Sequence, residues 1–157
     1  MDHDVLLAIR QMLTARKVLC LAVTIDGDPA ASLLPFAVAP DFHAVFVQAS
    51  TLAKHSRALQ PGVRVSLLVH DLDTEEADPL QVSRLTVQAT VKVLDRDGDA
   101  FAKAREVFVG RLPSADMTLE LADFSLYRLE FGPGRYVAGF AQAYNIGPET
   151  FDEIARL

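Results

Sequence analysis

Apolar and polar residues alternate with a period of two over much of this chain, and this pattern predicts a fold built mainly from β-strands. The clearest example is 63–70, where every second residue is Val or Leu. Residues 80–94 form the longest predicted strand, with apolar side chains on one face and Arg84 among the polar side chains on the other. Runs rich in β-branched residues and bounded by turn residues predict the other strands, at 17–25, 30–39, 42–49, 124–131 and 136–143.

Helical spacing occurs at four places outside these strands. Residues 4–16 place four apolar side chains on one stripe, and Asp2 or Asp4 can cap the helix. A short helix is predicted over 51–59, where the Pro-Gly pair at 61–62 stops it. Two further helices are predicted over 97–109 and 148–156.

Turn residues divide the strands into hairpins. The pair Asp26-Gly27 predicts a tight hairpin, and the Gly-Pro-Gly sequence at 132–134 predicts a turn between the last two strands. Pro35 lies inside a predicted strand but has no N–H for a central ladder, which indicates an edge position or a bulge. Six or seven strands, mostly joined by short turns, predict an antiparallel α+β barrel with peripheral helices.

Composition restricts the classes of function. The net charge of −6 argues against binding to nucleic acid or to an anionic membrane surface. The chain has 157 residues, half of them hydrophobic, and this predicts one domain, 1–157, with a sizeable core. Cys20, the single cysteine, cannot form an internal disulfide, and we find neither a secretion leader nor an apolar run of about 20 residues. We therefore expect a cytoplasmic protein.

The strongest candidate for a binding site is the end of the third strand and the short helix after it. The protein is acidic, yet no Asp or Glu occurs from Phe42 to His70. The start of a helix offers free N–H groups and a positive dipole to an anion, so this segment predicts a phosphate site, with a solvated charged face as the alternative. The side chains that would contact the anion are Ser50, Thr51, Lys54, His55 and Arg57.

Two further observations bear on this site. On an α-helix, His55 shares the inward face with Leu52, Ser56 and Leu59. Arg84 has no acidic neighbour within 79–94, so its planar fork of donors is available either for a phosphate or for a salt bridge to a distant acid.

Other kinds of site find little support. His43, His55 and His70 are too widely spaced to form a local metal motif, and no cysteine is available to help them. The acidic stretch 71–78 is interpreted as a solvated loop. The histidine spacing therefore leads us to expect no metal site. We also find no glycine-rich nucleotide motif and no nucleophile elbow, and we identify no catalytic side chain.

Seven segments carry a resemblance to a known family. They cover nearly the whole chain in family order and are 19–24, 32–37, 50–57, 84–87, 111–115, 123–129 and 137–143. In them the chain resembles the pyridoxamine 5'-phosphate oxidase-like FMN-binding split barrels, within the haem-utilisation (HugZ-type) branch.

The resemblance implies a homodimer of six-stranded split β-barrels with two FMN sites at the subunit interface. It implies that 50–57 and Arg84 hold the FMN phosphate, and that the strand containing Ser32, Pro35 and Phe36 runs beside the flavin ring, mainly through its backbone.

The chain departs from its relatives in two respects. Haem-degrading members continue into a C-terminal domain that carries a haem-ligating histidine, whereas this chain ends at Leu157. The arginine and histidine pattern with which the pyridoxamine phosphate oxidases bind substrate is not matched either. The first departure makes flavin chemistry a better expectation than haem chemistry. Because of the second, we do not expect vitamin B6 oxidation.

We therefore expect a dimeric FMN-dependent oxidoreductase that acts on a small-molecule redox substrate, with the flavin carrying out hydride or electron transfer. One alternative is a haem-binding or haem-degrading protein on the same barrel, with His55 or His43 as the ligand. Another is a non-catalytic flavin-binding module.

Overall fold

A computed structural model describes all of residues 1–157 and contains seven β-strands and four α-helices. The helices are α1 (His3–Ala15), α2 (Asp99–Arg111), α3 (Ala115–Leu119) and α4 (Pro148–Ala155). The strands are β1 (Val18–Ile25), β2 (Asp28–Val38), β3 (Ala44–Ser50), β4 (Arg64–His70), β5 (Arg84–Val93), β6 (Phe124–Gly139) and β7 (Gln142–Ile146). Two short 3₁₀ helices cover Lys54–Ala58 and Pro79–Gln81.

The seven strands form one antiparallel sheet that closes on itself. Their order is β3-β2-β1-β4-β5-β6-β7, and an additional pairing between β3 and β6 closes the first six into a barrel. The predicted α+β barrel is therefore confirmed as an antiparallel six-stranded split β-barrel, with β7 added outside it.

Two hydrophobic cores hold the helices to the barrel. The larger core fills the barrel interior and extends to α1 and α4. The smaller one lies between α2 and α3 and the outward-facing side chains of β2, β3 and β6. None of the four α-helices combines the length and the apolar content that a membrane crossing requires.

Several local predictions are confirmed. The side chain of Asp2 caps α1 by accepting a hydrogen bond from the N–H of Asp4. Asp26 and Gly27 form the β1–β2 turn with φ angles of 54° and 88°, the left-handed conformation that a tight hairpin requires.

The barrel is split beside Pro35. Residues up to Pro35 pair with β1, whereas β2 pairs with β3 only from Phe36 to Val38. The register would place Pro35 opposite Gln48, where proline has no N–H to donate. The predicted edge position is thus confirmed, because the earlier part of β2 has a partner on one side only.

The prediction of two C-terminal strands joined at 132–134 is wrong. A single strand of sixteen residues, β6, runs through this segment and is longer than β5. A Cβ atom on Gly134 would collide with the backbone of Thr86 and Val87. Glycine here allows β6 to lie close against the irregular part of β5 rather than to turn.

The predicted helix over 51–59 is also shorter and different in type. It is a 3₁₀ helix that begins at Lys54, and three residues per turn give faces different from those of an α-helix. As a result Ser56 and Leu59 are buried together, while Leu52 is 84% exposed and does not belong to the inward face.

Candidate functional site

The structure divides the predicted phosphate ligands between two ends of the barrel. We call the first 3₁₀ helix and the β1–β2 turn the helix end, and the paired residues His70 and Arg84 the arginine end. Val18, at the start of β1, lies level with Arg84, whereas Ile25 lies at the helix end. Since strands rise about 3.3 Å per residue, the two ends are roughly 23 Å apart. One chain alone does not bring them together.

At the helix end, Ser50 is occupied by contacts within the chain. Its hydroxyl donates to Asp123 at 2.5 Å and accepts from the N–H of Leu52 at 3.1 Å. The hydroxyl of the buried Ser56 donates to the Ser50 carbonyl oxygen at 2.6 Å, and the N–H of Thr51 donates to the Asp123 carbonyl at 2.7 Å. These bonds attach the loop after β3 to the start of β6.

Arg57 has an acidic partner as well. Its guanidinium donates to Asp26 across 2.8 Å. The stretch that lacks acids in sequence therefore receives two carboxylates from distant segments, Asp26 and Asp123. Lys54 is exposed and takes part in no ion pair within the chain.

His55 lies at the same end in a different condition. Its side chain is partly buried, and its Nε2 atom is inaccessible and has no hydrogen-bond partner. Burial lowers the pKa of this imidazole, because the protonated form would lose solvation. Burial therefore favours the neutral form of His55, whose Nε2 atom faces the protein interior.

The three residues predicted beside the flavin ring lie on β2. Phe36 is fully buried in the barrel core, and its N–H donates to the Lys17 carbonyl at 2.9 Å, so its position does not support a contact with a bound ring. Ser32 and Pro35 are partly exposed on the part of β2 that lacks a second neighbour. Backbone groups on that side remain available.

At the arginine end, Arg84 belongs to none of the ion pairs in the structure. Its guanidinium donates to the Val82 carbonyl at 3.2 Å, and its register partner is His70 on β4. Partners across two antiparallel strands point to the same face, here the outer face of the barrel. The alternative of a salt bridge to a distant acid is not realised within this chain.

Two neighbouring cavities share Arg84. One, of about 230 Å³, is also lined by Leu68, His70 and Asp73. The other, of about 400 Å³, includes Arg135 and two strongly exposed apolar side chains, Leu80 (63% exposed) and Phe140 (69%). The arginine end thus combines cationic donors with uncovered apolar surface, the combination expected for an amphipathic anion.

Sequence reasoning missed most of this site. From the sequence, His70 is a candidate only for a local metal motif, and Arg135, Leu80 and Phe140 have no predicted role in a site. The hairpin between β6 and β7 and the second 3₁₀ helix bring them to Arg84. The one sequence signal is the pair Gly139-Phe140, which places an apolar residue directly after a turn-forming glycine.

Between the two ends, part of the outer face of the barrel carries no charged side chain. It consists of two adjacent rows of cross-strand partners, and each row contains one residue from each of β2, β1, β4 and β5. The members of this uncharged face are Leu33, Cys20, Leu68, Thr86, Ala31, Ala22, Ser66 and Gln88. A solvated sheet face normally carries charged side chains, so this composition is typical of a surface that becomes covered.

Comparison with known proteins identifies relatives along nearly the whole chain. The haem oxygenase HutZ of Vibrio cholerae is 30% identical over 151 residues, which are 95% of this chain and 85% of HutZ. No protein-family model matches the chain.

Solved structures share the fold. The haem-binding protein of Mycobacterium smegmatis superposes with a TM-score of 0.83 at 24% identity, over 98% of this chain and 62% of that one. A protein of the pyridoxinephosphate oxidase family from Clostridium acetobutylicum gives 0.71 at 12% identity, over 96% and 99%. An FAD- and haem-binding protein of M. smegmatis gives 0.62 at 19% identity, over 83% and 67%.

Proposed function

Because the chain belongs to the pyridoxamine 5'-phosphate oxidase-like split-barrel family, in the haem-utilisation branch that contains HutZ, we propose that it is a haem-binding protein whose site lies at the arginine end. Arg84 carries this proposal, since its guanidinium has no carboxylate partner and lines two cavities with uncovered apolar surface. This order differs from the sequence expectation, in which flavin came first.

The donor set suits such a ligand. Haem is a broad apolar ring with two carboxylates at one edge, and it supplies an iron centre for redox or oxygen chemistry when bound. Arg84 and Arg135 offer guanidinium forks to the carboxylates. Leu80 and Phe140 offer apolar contact, which costs little because both side chains are already exposed.

We infer that a second copy of this chain covers the uncharged face beside the proposed haem site. The uncharged face separates the two ends, and a two-fold axis running across the strands would place the arginine end of one copy against the helix end of the other. Covering this face would remove the exposed Leu33 (69% exposed) from water. Light scattering tests this dimer, whose expected molecular mass is twice the 17.1 kDa of one chain. A monomeric mass at all protein concentrations would contradict the dimer.

A flavin is the second candidate ligand, favoured by the split in the barrel wall. Up to Pro35, the backbone groups of β2 that face away from β1 have no strand partner, and Lys54 offers an unpaired ammonium for a phosphate at the helix end. In the dimer both ligands would lie at the same interface. We keep FMN-dependent redox catalysis on a small-molecule substrate, and a cytoplasmic location, as part of this second proposal.

Two titrations of the purified protein test these functions. Ferric haem is added in one and followed by its Soret absorption; FMN or FAD is added in the other and followed by fluorescence quenching. We expect saturable haem binding at one equivalent per chain, unchanged by Lys54→Ala. Flavin binding that saturates and is weakened by Lys54→Ala would support the second candidate. The absence of saturation with haem would overturn the first.

A further inference from the structure

The four histidines differ in whether a ring nitrogen is free to bind a metal. The Nε2 atom of His43 is 3.1 Å from a carboxylate oxygen of Asp152 on α4. The Nε2 atom of His55 is inaccessible inside the protein. His3 is exposed in the first turn of α1 but lines neither cavity of the arginine end. The two histidines first expected as haem ligands, His43 and His55, are therefore poorly suited to that role.

His70 is in the opposite condition. Its Nδ1 atom is 2.6 Å from the carbonyl oxygen of Asp71. A carbonyl oxygen can only accept, so Nδ1 carries a proton, and the lone pair of the neutral ring is on Nε2. Nε2 makes no hydrogen bond within the chain, and the side chain is exposed. Histidine ligands of metals commonly donate their other ring N–H to a carbonyl in this way, which fixes the ring and raises its basicity.

The position of His70 links this free nitrogen to the arginine end. It is the last residue of β4 and the register partner of Arg84, so the two side chains leave the same face of neighbouring strands. Both line the same cavity, together with Leu68 and one carboxylate, Asp73. An imidazole nitrogen, a guanidinium and apolar surface thus meet within a single site.

On the basis of the haem-binding function proposed above, we propose that His70 is the residue of this chain that would hold the haem iron, through Nε2. Arg84 and Arg135 would then bind the haem carboxylates. Arg135 is the register neighbour of Thr86, two residues from Arg84, and its only side-chain bond is to Asn145 at 3.3 Å. The lone pair of Nε2 in the neutral ring is the group that would bind the iron.

Ferric haem titrations of the purified protein test this assignment. In His70→Ala we expect the optical and electron paramagnetic resonance signature of nitrogen ligation to disappear, and affinity to fall by at least the ~10- to 100-fold that loss of support costs a metal site. The control His43→Ala removes a partly buried histidine that is paired with Asp152 away from the arginine end, and should keep both the spectrum and the affinity. Since His70 is at the surface, circular dichroism should show the same fold for both variants.

Chemical rescue provides the second arm. In His70→Gly, free imidazole added to the haem complex should restore the nitrogen-ligated spectrum, whereas it should leave the wild-type spectrum unchanged. A wild-type spectrum in His70→Ala would overturn the assignment while leaving haem binding intact. If the wild-type protein bound no haem at all, the proposed function would fail first and the assignment with it.

Discussion

The two ends of the barrel contain the same pair of residue types in very different conditions. At the helix end, Arg57 is paired with Asp26, and His55 has turned its Nε2 atom into the protein. At the arginine end, Arg84 has no acidic partner, and His70 keeps an exposed Nε2. Residues that already bond within the chain stabilise the fold, whereas polar groups left without a partner at the surface remain available for a ligand.

This contrast explains why a basic stretch of sequence is weak evidence for an anion site. The segment after β3 has no acids of its own, yet the β1–β2 turn and the residue before β6 supply them. Local charge therefore overstates the positive potential at the helix end. Arg84, in contrast, is the first residue of β5, and its register partners on the two adjacent strands, His70 and Val137, carry no negative charge.

The largest expected effect separates the two arginines. Arg84→Ala should weaken ferric haem binding by about 1.5–3 kcal/mol, the usual value of a hydrogen bond to a charged group, which is about ten-fold or more in Kd. Its free energy of unfolding should change by less than about 0.5 kcal/mol, as for other surface substitutions. The measurements are a Soret titration and urea denaturation.

Arg57→Ala is the matched control for this prediction. It breaks an exposed ion pair, so the free energy of unfolding should fall by at most about 1 kcal/mol, and haem affinity should stay the same. The comparison of the two ends would break if Arg57→Ala weakened haem binding as much as Arg84→Ala did.

Asp123→Ala tests the structural role of the helix end. It removes the partner of the Ser50 hydroxyl, so we expect a loss of about 1–3 kcal/mol in the free energy of unfolding, measured with urea. Haem binding by the folded protein should be unaffected. Unchanged stability would show that the bonds around Ser50 do not hold this loop, and would reopen Ser50 as a ligand contact.

The smallest effect concerns pH. Burial lowers the pKa of His55 in the folded protein below its ordinary 6.5, so the unfolded chain binds more protons in this range. His55 therefore favours folding above about pH 6.5, and this contribution is lost as the pH falls through the folded pKa. His55→Gln cannot titrate, so its urea midpoint should decline less than that of the wild type between pH 7 and 5.5. Equal declines would place His55 in solvent.

Alternation and turn residues were sufficient for most of the fold. The spacing of 63–70 gave β4 to within one residue, and the missing N–H of Pro35 indicated where β2 loses its second neighbour. The error at 132–134 has a definite cause. Glycine occurs both in turns and where two backbones approach closely. For Gly134 only the position of β5 in the folded chain shows that the second case applies.

The site was less accessible from sequence because its parts come from separate elements. Arg84 could be selected, since the absence of nearby acids is visible in the sequence. Its role depends on what folds against it: His70 from β4, and Phe140 from a hairpin that begins only where β6 ends. No spacing rule predicts contacts between elements so far apart in the chain.

The length of β6 has a consequence for how the chain reaches its native state. Strands β1 to β5 are complete by Val93 and can form an open sheet, whose two outer strands are β3 and β5. A single later strand, β6, pairs with both of them and closes the barrel. During synthesis the edges of β3 and β5 therefore remain unpaired until residues from 124 onward have been made. Unpaired strand edges can pair with other chains. Slow or interrupted translation after β5 should favour aggregation over folding.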